Sequence, residues 1–177
     1  MQLYNGSLYA NDMLSGLWQL NALNGALSVA AGGNNEPSRY SSDLWVHGGY
    51  AYTGTWDHVR RTGATGSILK VWQLDGTGAP VAVDSILTSN VGAVSDVEVS
   101  SNGKLLIFSA EGGTNGGLHF YSLADPAHPV LRGMQSVSGG VHTATLGYIG
   151  GRVYAFAAKN PSAPALLIFD VTSLAGL

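Results

Sequence analysis

Four side chains able to carry acid–base or metal chemistry recur at related points of successive sequence segments. Asp43, Asp96 and His142 stand at the start of apolar-alternating runs, and Glu111 closes the run that follows Asp96. Carboxylates and an imidazole can together ligate a divalent cation, since hard cations prefer oxygen and zinc accepts oxygen and nitrogen. The carboxylates can instead form an acid–base pair for hydrolysis, in which their separation decides the stereochemical route. We take these four as candidate catalytic residues.

A second group is expected to bind a ligand, and its members end or follow the second run of a segment. These residues are Trp56, Asp57, His58 and Lys159. The link over 57–66 is the longest between a second and a third run, and long links on a rigid scaffold often carry function. Trp56 can stack on a sugar ring together with Trp45 and Tyr40, and burial between sheets is the competing interpretation.

Structural roles compete with each of these assignments. Asp or Ser at the start of a strand commonly accepts hydrogen bonds from nearby backbone N–H groups. His142 can be a hydrogen-bonded structural residue, and Glu111 and Lys159 can form a plain ion pair between adjacent units, which is worth little if exposed. The sequence therefore predicts no cofactor, and leaves a divalent cation as an option.

Short runs of alternating polarity, separated by turn residues, must position these side chains. The clearest example holds four runs at 95–99, 104–110, 118–123 and 130–137. Asn-Gly, a glycine-rich link and Asp-Pro separate them. Runs of this length and period predict antiparallel strands joined by tight turns.

The same unit recurs about every 50 residues, with an aromatic ring in the third run of each copy at Trp18, Trp72, Tyr121 and Phe169. Such a period predicts a propeller or related array whose facing sheets bury the rings. We predict an all-β fold, a β-propeller of four-stranded antiparallel blades. One partial domain over 1–177 would hold about four blades, at roughly 1–33, 41–90, 93–138 and 141–177.

The last unit lacks a fourth run, and an open array ends in an unpaired strand edge. Three arrangements follow: a closed four-bladed ring, a homodimer that joins two half-rings, or a piece of a longer protein. The last two are favoured.

Three segments resemble a known family. They are SDLWVHG at 42–48, GGLHFYSLADPAHPV at 116–130 and ALLIFDV at 165–171. They are similar to LVIVD-repeat proteins, in which a glycine-led apolar strand ends in an Asp-Pro-Ala motif. The resemblance implies a bacterial or archaeal β-propeller outside the cytoplasm, with no common chemistry in the family. The chain itself begins without a signal-peptide pattern.

Composition excludes several classes of function. A net charge of −3 with only eight Lys and Arg gives no basic footprint for nucleic acid. No apolar run reaches the roughly 18 residues of a membrane span. The absence of Cys excludes disulfides and cysteine chemistry, and the serine-hydrolase, zinc-protease and phosphate-loop motifs do not occur.

Two functional hypotheses follow. The first is a non-catalytic propeller scaffold that presents one loop face to a protein, glycan or small ligand. The alternative is a hydrolase, either a glycoside hydrolase or a metal-assisted lactonase. It would use Asp43, Asp96 and Glu111 as carboxylates and His142 as base or ligand at the mouth of the central channel.

Overall fold

Antiparallel β-sheet accounts for nearly all of the regular structure. The computed structural model describes residues 1–56, 66–75, 78–159 and 163–176. Within them, fifteen strands form three four-stranded sheets and one three-stranded sheet, each an antiparallel meander in chain order. The predicted all-β class is confirmed, and the last sheet lacks a fourth strand, as its sequence pattern indicated. No helix in the described ranges is long and apolar enough to cross a membrane.

Sheets 1 and 2 occupy the first half of the chain. Sheet 1 contains β1 (Gln2–Tyr4), β2 (Ser7–Asp12), β3 (Gly16–Leu23) and β4 (Ala26–Gly32). Sheet 2 contains β5 (Tyr40–His47), β6 (Tyr50–Trp56), β7 (Ile68–Gln73) and β8 (Val81–Leu87).

Sheets 3 and 4 occupy the second half. Sheet 3 contains β9 (Ala93–Val99), β10 (Leu105–Glu111), β11 (Gly117–Ser122) and β12 (Val130–Ser136). Sheet 4 contains β13 (Val141–Ile149), β14 (Arg152–Lys159) and β15 (Leu166–Asp170), and a one-turn helix α1 (Thr172–Ala175) follows it.

Two-residue turns set the register of the first hairpin in sheets 1 and 2. Asn5-Gly6 joins β1 to β2 and Gly48-Gly49 joins β5 to β6, and all four residues have positive φ, between 47° and 84°. Positive φ at both central residues defines a type I′ turn, whose twist matches that of the flanking strands. The turn chemistry therefore decides which side chains share a face.

Each sheet has one row of paired side chains, the front row, which in sheets 2 to 4 faces the preceding sheet. The front rows of sheets 1 to 4 are Leu3–Leu8–Leu20, Val46–Ala51–Trp72, Val99–Leu106–Tyr121 and Leu146–Ala155–Phe169. The last three rows pack in three separate core clusters, each shared with the sheet before. Apolar burial between consecutive sheets thus holds the array together.

The opposite face of each sheet carries the back row, which in sheets 1 to 3 points toward the following sheet. The back rows are Tyr9–Gln19, Tyr52–Val71, Ile107–Phe120 and Phe156–Ile168. Tyr52 and Val71, for example, lie in the same core cluster as Leu106 and Tyr121 of the next sheet. Consecutive sheets therefore meet back row to front row.

The predicted alignment of the repeated aromatic is correct for three sheets and wrong for the first. A β-bulge falls directly before Trp72 and Tyr121 in their pairing with the fourth strand, and in sheet 1 it falls directly before Leu20. Leu20, not Trp18, is therefore the counterpart of the other rings. The Trp18 indole instead donates to Ser15 Oγ at 2.9 Å. Sequence spacing could not reveal the displacement, because the bulge that marks the equivalent position depends on how the third strand pairs with the fourth.

The Trp18 ring lies against the backbone of Gly33. A Cβ built on Gly33 would come within 2.1 Å of the ring, whereas one built on Gly6 would meet nothing within 4 Å. Both glycines have φ near +80°, so alanine suffers similar backbone strain at both. We expect Gly33→Ala to cost about 1–3 kcal/mol more than Gly6→Ala, because the ring must move. Urea denaturation of the two variants measures the difference, and equal losses would contradict the ring contact.

A buried ion pair links the crossover segment between sheets 1 and 2 to a strand of sheet 2. The Glu36 carboxylate, which is almost fully buried, forms an ion pair with the Lys70 ammonium of β7 and accepts a hydrogen bond from Ser38 Oγ at 2.7 Å. Burial by itself raises the pKa of Glu36, but the hydrogen bonds from Lys70 and Ser38 outweigh it, and the pKa lies below its usual value. The sequence analysis did not identify this pair.

Candidate functional site

The predicted site residues of sheets 2 to 4 lie where the first strand departs from regular pairing. The pairing shifts between Ser41 and Leu44 in β5, and between Val141 and Thr143 in β13, and β9 shifts at the equivalent place. These irregularities bring Ser42-Asp43, Ser95-Asp96 and His142-Thr143 to matching positions, as the repeat alignment predicted. Bulges twist a strand and re-aim its side chains, and they occur often beside functional sites.

Asp43 and Asp96 perform the same structural task one sheet apart. Asp43 Oδ2 accepts a hydrogen bond from the backbone N–H of Val97 at 3.1 Å, and Asp96 Oδ2 accepts one from that of Ala144 at 2.8 Å. Asp96 also accepts a short hydrogen bond from the Thr143 hydroxyl. Each carboxyl group therefore links its own sheet to the first strand of the next.

Two further side chains, one on β1 and one on β9, also link the first strand of their sheet to the first strand of the next. Gln2 Oε1 accepts from the backbone N–H of Val46 at 2.5 Å, and Glu98 Oε2 accepts from that of Leu146 at 3.0 Å. Burial raises the pKa of Glu98 above its usual value. The sequence analysis did not identify Gln2 or Glu98 as links between sheets. The available signal was a polar side chain between apolar residues of a strand.

The Asp43 and Asp96 carboxyl groups also contact each other. Burial of Asp43, followed by its hydrogen bond to Asp96, raises its pKa to about 7. Two carboxyl groups in contact cannot both ionise easily, which adds to the effect of burial on the pKa of Asp43. Their contact is closer than the roughly 5–9.5 Å that separates the carboxyl groups of glycoside hydrolases.

Glu111 and His142 form a second pair that also includes Ser95. Glu111 Oε1 lies 2.6 Å from His142 Nδ1 and accepts a hydrogen bond from Ser95 Oγ at 2.5 Å. Trp56 Nε1 donates in turn to Ser95 Oγ at 3.4 Å. The His142 ring is largely exposed and the Glu111 side chain is partly exposed, so a ligand can reach both.

These side chains line an open cleft, which consists of two adjoining cavities. The larger, of about 610 Å³, is lined by Trp56, Gly92, Ala93, Glu111, Gly112, Gly139 and His142. The smaller, of about 270 Å³, is lined by Ser42, Asp43, Trp56, Ser95, Asp96, His142 and Thr143. Because Trp56 and His142 line both cavities, the structure brings all four predicted catalytic residues and Trp56 to one cleft.

Three predicted ligand-binding residues remain: Lys159, Asp57 and His58. Lys159 ends β14 opposite Val141 and is not among the residues that line the cleft. The suggested Glu111–Lys159 pair is wrong, because Glu111 pairs with His142 across the sheet interface. Asp57 and His58 lie outside the described residues.

The four-residue metal site is also wrong. The candidate ligands separate into two hydrogen-bonded pairs, Asp43–Asp96 and Glu111–His142. Within the described ranges, no group of three or more His, Cys, Asp or Glu side chains is placed to hold a metal ion. The donor set therefore does not fit the cation that the sequence left as an option.

Comparison with known proteins shows the class of fold. The chain matches no protein-family model, and no curated protein matches it. Among the solved structures similar to it is "Crystal structure of putative exo-beta-1,3-galactanase from Bifidobacterium bifidum s17", at 14% identity and a TM-score of 0.57. The match covers 91% of this chain and 61% of that one. The two chains share an all-β fold, and this chain spans about three fifths of the other's length.

Proposed function

We propose that this chain is a β-propeller repeat domain that binds a saccharide residue in the cleft and does not cleave it. The observation that carries the proposal is the composition of the larger cavity. An indole, Trp56, lies beside the Glu111–His142 pair in an open space of about 610 Å³. A sugar needs an apolar surface for one face of its ring and a few convergent polar groups for its hydroxyls.

Two further observations support the architecture and the ligand class. Four meander sheets follow one another and meet back row to front row, an arrangement typical of propeller blades. We include the LVIVD-like repeat in this proposal. Two of its three segments, 116–130 and 165–171, contain the third strands of sheets 3 and 4, whereas the segment at 42–48 lies on the first strand of sheet 2. The solved structure described above carries the name of an enzyme that acts on galactan, which favours a saccharide.

We expect no cleavage because the carboxyl groups of Asp43 and Asp96 already make structural hydrogen bonds. Asp43 and Asp96 accept hydrogen bonds from the backbone of the adjacent sheet, and they contact each other. A water molecule or a glycosidic oxygen does not fit between two carboxyl groups in contact. We therefore assign this pair to the scaffold and the Trp56 side of the cleft to the ligand.

Replacing Trp56 by alanine is expected to weaken saccharide binding at least tenfold, because the stacking surface is lost. Titration calorimetry with β-1,3-linked galactobiose measures the effect. His142→Ala should also weaken binding while leaving the fold intact, since its ring is largely exposed. Tyr148→Ala, an exposed aromatic at the other end of β13, is the matched control. Equal affinity of the Trp56 and Tyr148 variants would contradict the assignment.

A hydrolase is the second candidate, and one specific observation favours it. An aspartic acid with a pKa of about 7 lies beside a second carboxyl group in the cleft, and such a group can donate a proton at neutral pH. Incubation with β-1,3-galactan and aryl galactosides tests this candidate. Turnover that Asp43→Asn abolishes would replace the binding proposal, and absence of turnover in the unmodified chain would remove the hydrolase.

A further inference from the structure

Four leucines at equivalent positions differ sharply in exposure. Leu17, Leu69, Leu118 and Leu166 each lie three residues before the third-strand residue of the front row, and so point to the back face of their sheets. The first three are 0% exposed, whereas Leu166 of sheet 4 is 66% exposed. In sheets 1 to 3 the following sheet covers this position, as the shared core clusters show.

The back row of sheet 4 shows the same contrast. Ile168 is 57% exposed, whereas its counterparts Val71 and Phe120 are 0% and 4% exposed. The charged group next to it, Asp170, is paired with Arg152 at 2.5 Å. The back face of sheet 4 is therefore an apolar surface with a neutralised border, which is the composition of an interface core with a polar rim.

The front face of sheet 1 is also uncovered, since no preceding sheet in the described part of the chain packs against it. Leu3 of its front row is 73% exposed, and Met1 beside it is 82% exposed. The counterparts of Leu3 in sheets 2 to 4 are Val46, Val99 and Leu146, and all three are buried against the preceding sheet. Among the residues that the structure describes, one back face and one front face are thus left without a neighbouring sheet.

We propose that the back face of sheet 4 packs on the front face of sheet 1 in a second copy of this chain. The two faces are the halves of an interface that the chain already builds three times within itself, so a second copy supplies the partner of matching type. Each copy contributes one face of each kind, and a rotation that closes after two copies gives a discrete dimer. Burial of the exposed leucines and Ile168 drives the association.

This interface is independent of saccharide binding, because sheets 2, 3 and 4 supply the cleft residues from their inner strands and links. Failure of one proposal therefore leaves the other standing. The cleft is tested by the affinity for galactobiose, and the interface is tested by mass in solution.

Sedimentation equilibrium of the 177-residue chain is expected to give twice the chain mass of 18.3 kDa. Leu166→Lys should reduce the mass to that of one chain, because the charge would be buried in both copies of the interface. Leu3→Glu should do the same from the opposite face. Both residues are exposed in the single chain, so the circular dichroism spectrum should stay unchanged. The unfolding midpoint should fall, because the variants lose the stabilisation that association adds.

Mixing the two variants is the decisive measurement. The Leu3→Glu copy retains an intact back face and the Leu166→Lys copy retains an intact front face, so the mixture should recover the dimer mass. Val130→Lys is the matched control: this residue is 63% exposed on β12, and both faces of its sheet are already covered within the chain. It should remain dimeric.

Four results would each overturn the proposal. The first three are a single-chain mass for the unmodified protein, dimers that persist in either single variant, and a mixture that stays monomeric. The fourth is a ladder of larger species, since it would show an open head-to-tail array in place of a closed pair.

Discussion

Replacing Glu36 by glutamine is expected to lower the free energy of unfolding by about 3 kcal/mol. Glu36 is almost fully buried in the crossover between sheets 1 and 2, and Lys70 is mostly buried beside it. Removing one member of a buried ion pair leaves an uncompensated charge in a poorly solvated place, which typically costs 3–5 kcal/mol. Urea denaturation followed by tryptophan fluorescence measures the loss, and the indole of Trp72, near the Lys70 ammonium, reports on this region.

The exposed ion pair of sheet 4 offers a matched control. Arg152 and Asp170 are 61% and 36% exposed, and Arg152→Gln should cost less than about 1 kcal/mol because solvent screens the pair. The double change Glu36→Leu with Lys70→Met should recover much of the loss, since apolar residues of similar volume often replace a buried pair without cost. Similar losses for Glu36→Gln and Arg152→Gln would show that the crossover pair is not effectively buried.

The contribution of the Asp43–Asp96 pair to stability is expected to fall as the pH rises from about 4 to about 7. The pKa of Asp43 is raised from 3.8 to about 7, mainly by burial and then by its hydrogen bond to Asp96. In this window the folded chain therefore keeps a proton that the unfolded chain releases. The stabilisation is fully present below the unfolded pKa and is lost as the pH passes through the folded pKa. The loss is on the order of 2–4 kcal/mol.

Asp43→Asn isolates this contribution from that of the other carboxyl groups. Asparagine keeps the oxygen that accepts the Val97 N–H and offers Asp96 a donor that does not titrate. The variant should match the unmodified protein at pH 4 and exceed its unfolding free energy at pH 8. For Asp125→Asn, in an exposed turn, the difference in unfolding free energy from the unmodified protein should not change with pH. If the difference between Asp43→Asn and the unmodified protein does not change with pH, the pKa of Asp43 is not raised in the folded chain.

The hairpins could be predicted from the sequence because the signals that define them are local. Alternating polarity over six or seven residues, bounded by Asn-Gly, Gly-Gly or Pro, gave β6 and β8 with the ends that the structure has. The bulge before Leu20 could not be predicted, because it depends on how β3 pairs with β4. Trp18 was therefore assigned to a position that Leu20 occupies.

The candidate site could also be predicted only in part: the positions of its residues followed from the sequence, but their partners did not. Repeat alignment was enough to place the pairs Ser42-Asp43, Ser95-Asp96 and His142-Thr143 at matching positions, since equivalent strands begin at equivalent points. The repeat alignment did not show which partner each side chain would take. Glu111, for example, pairs with His142 and not with Lys159. That choice depends on the distance between side chains of different sheets.

The sequence by itself determined the strands, the turns, the repeat and the all-β class, because backbone sterics and the two-residue period of a strand act between neighbours along the chain. Only the tertiary structure decided the Glu36–Lys70 pair, the contact of Asp43 with Asp96 and the exposure of Leu3 and Leu166. Those features join residues from different sheets, or depend on whether another sheet lies alongside, and the order of residues along one strand does not specify such contacts.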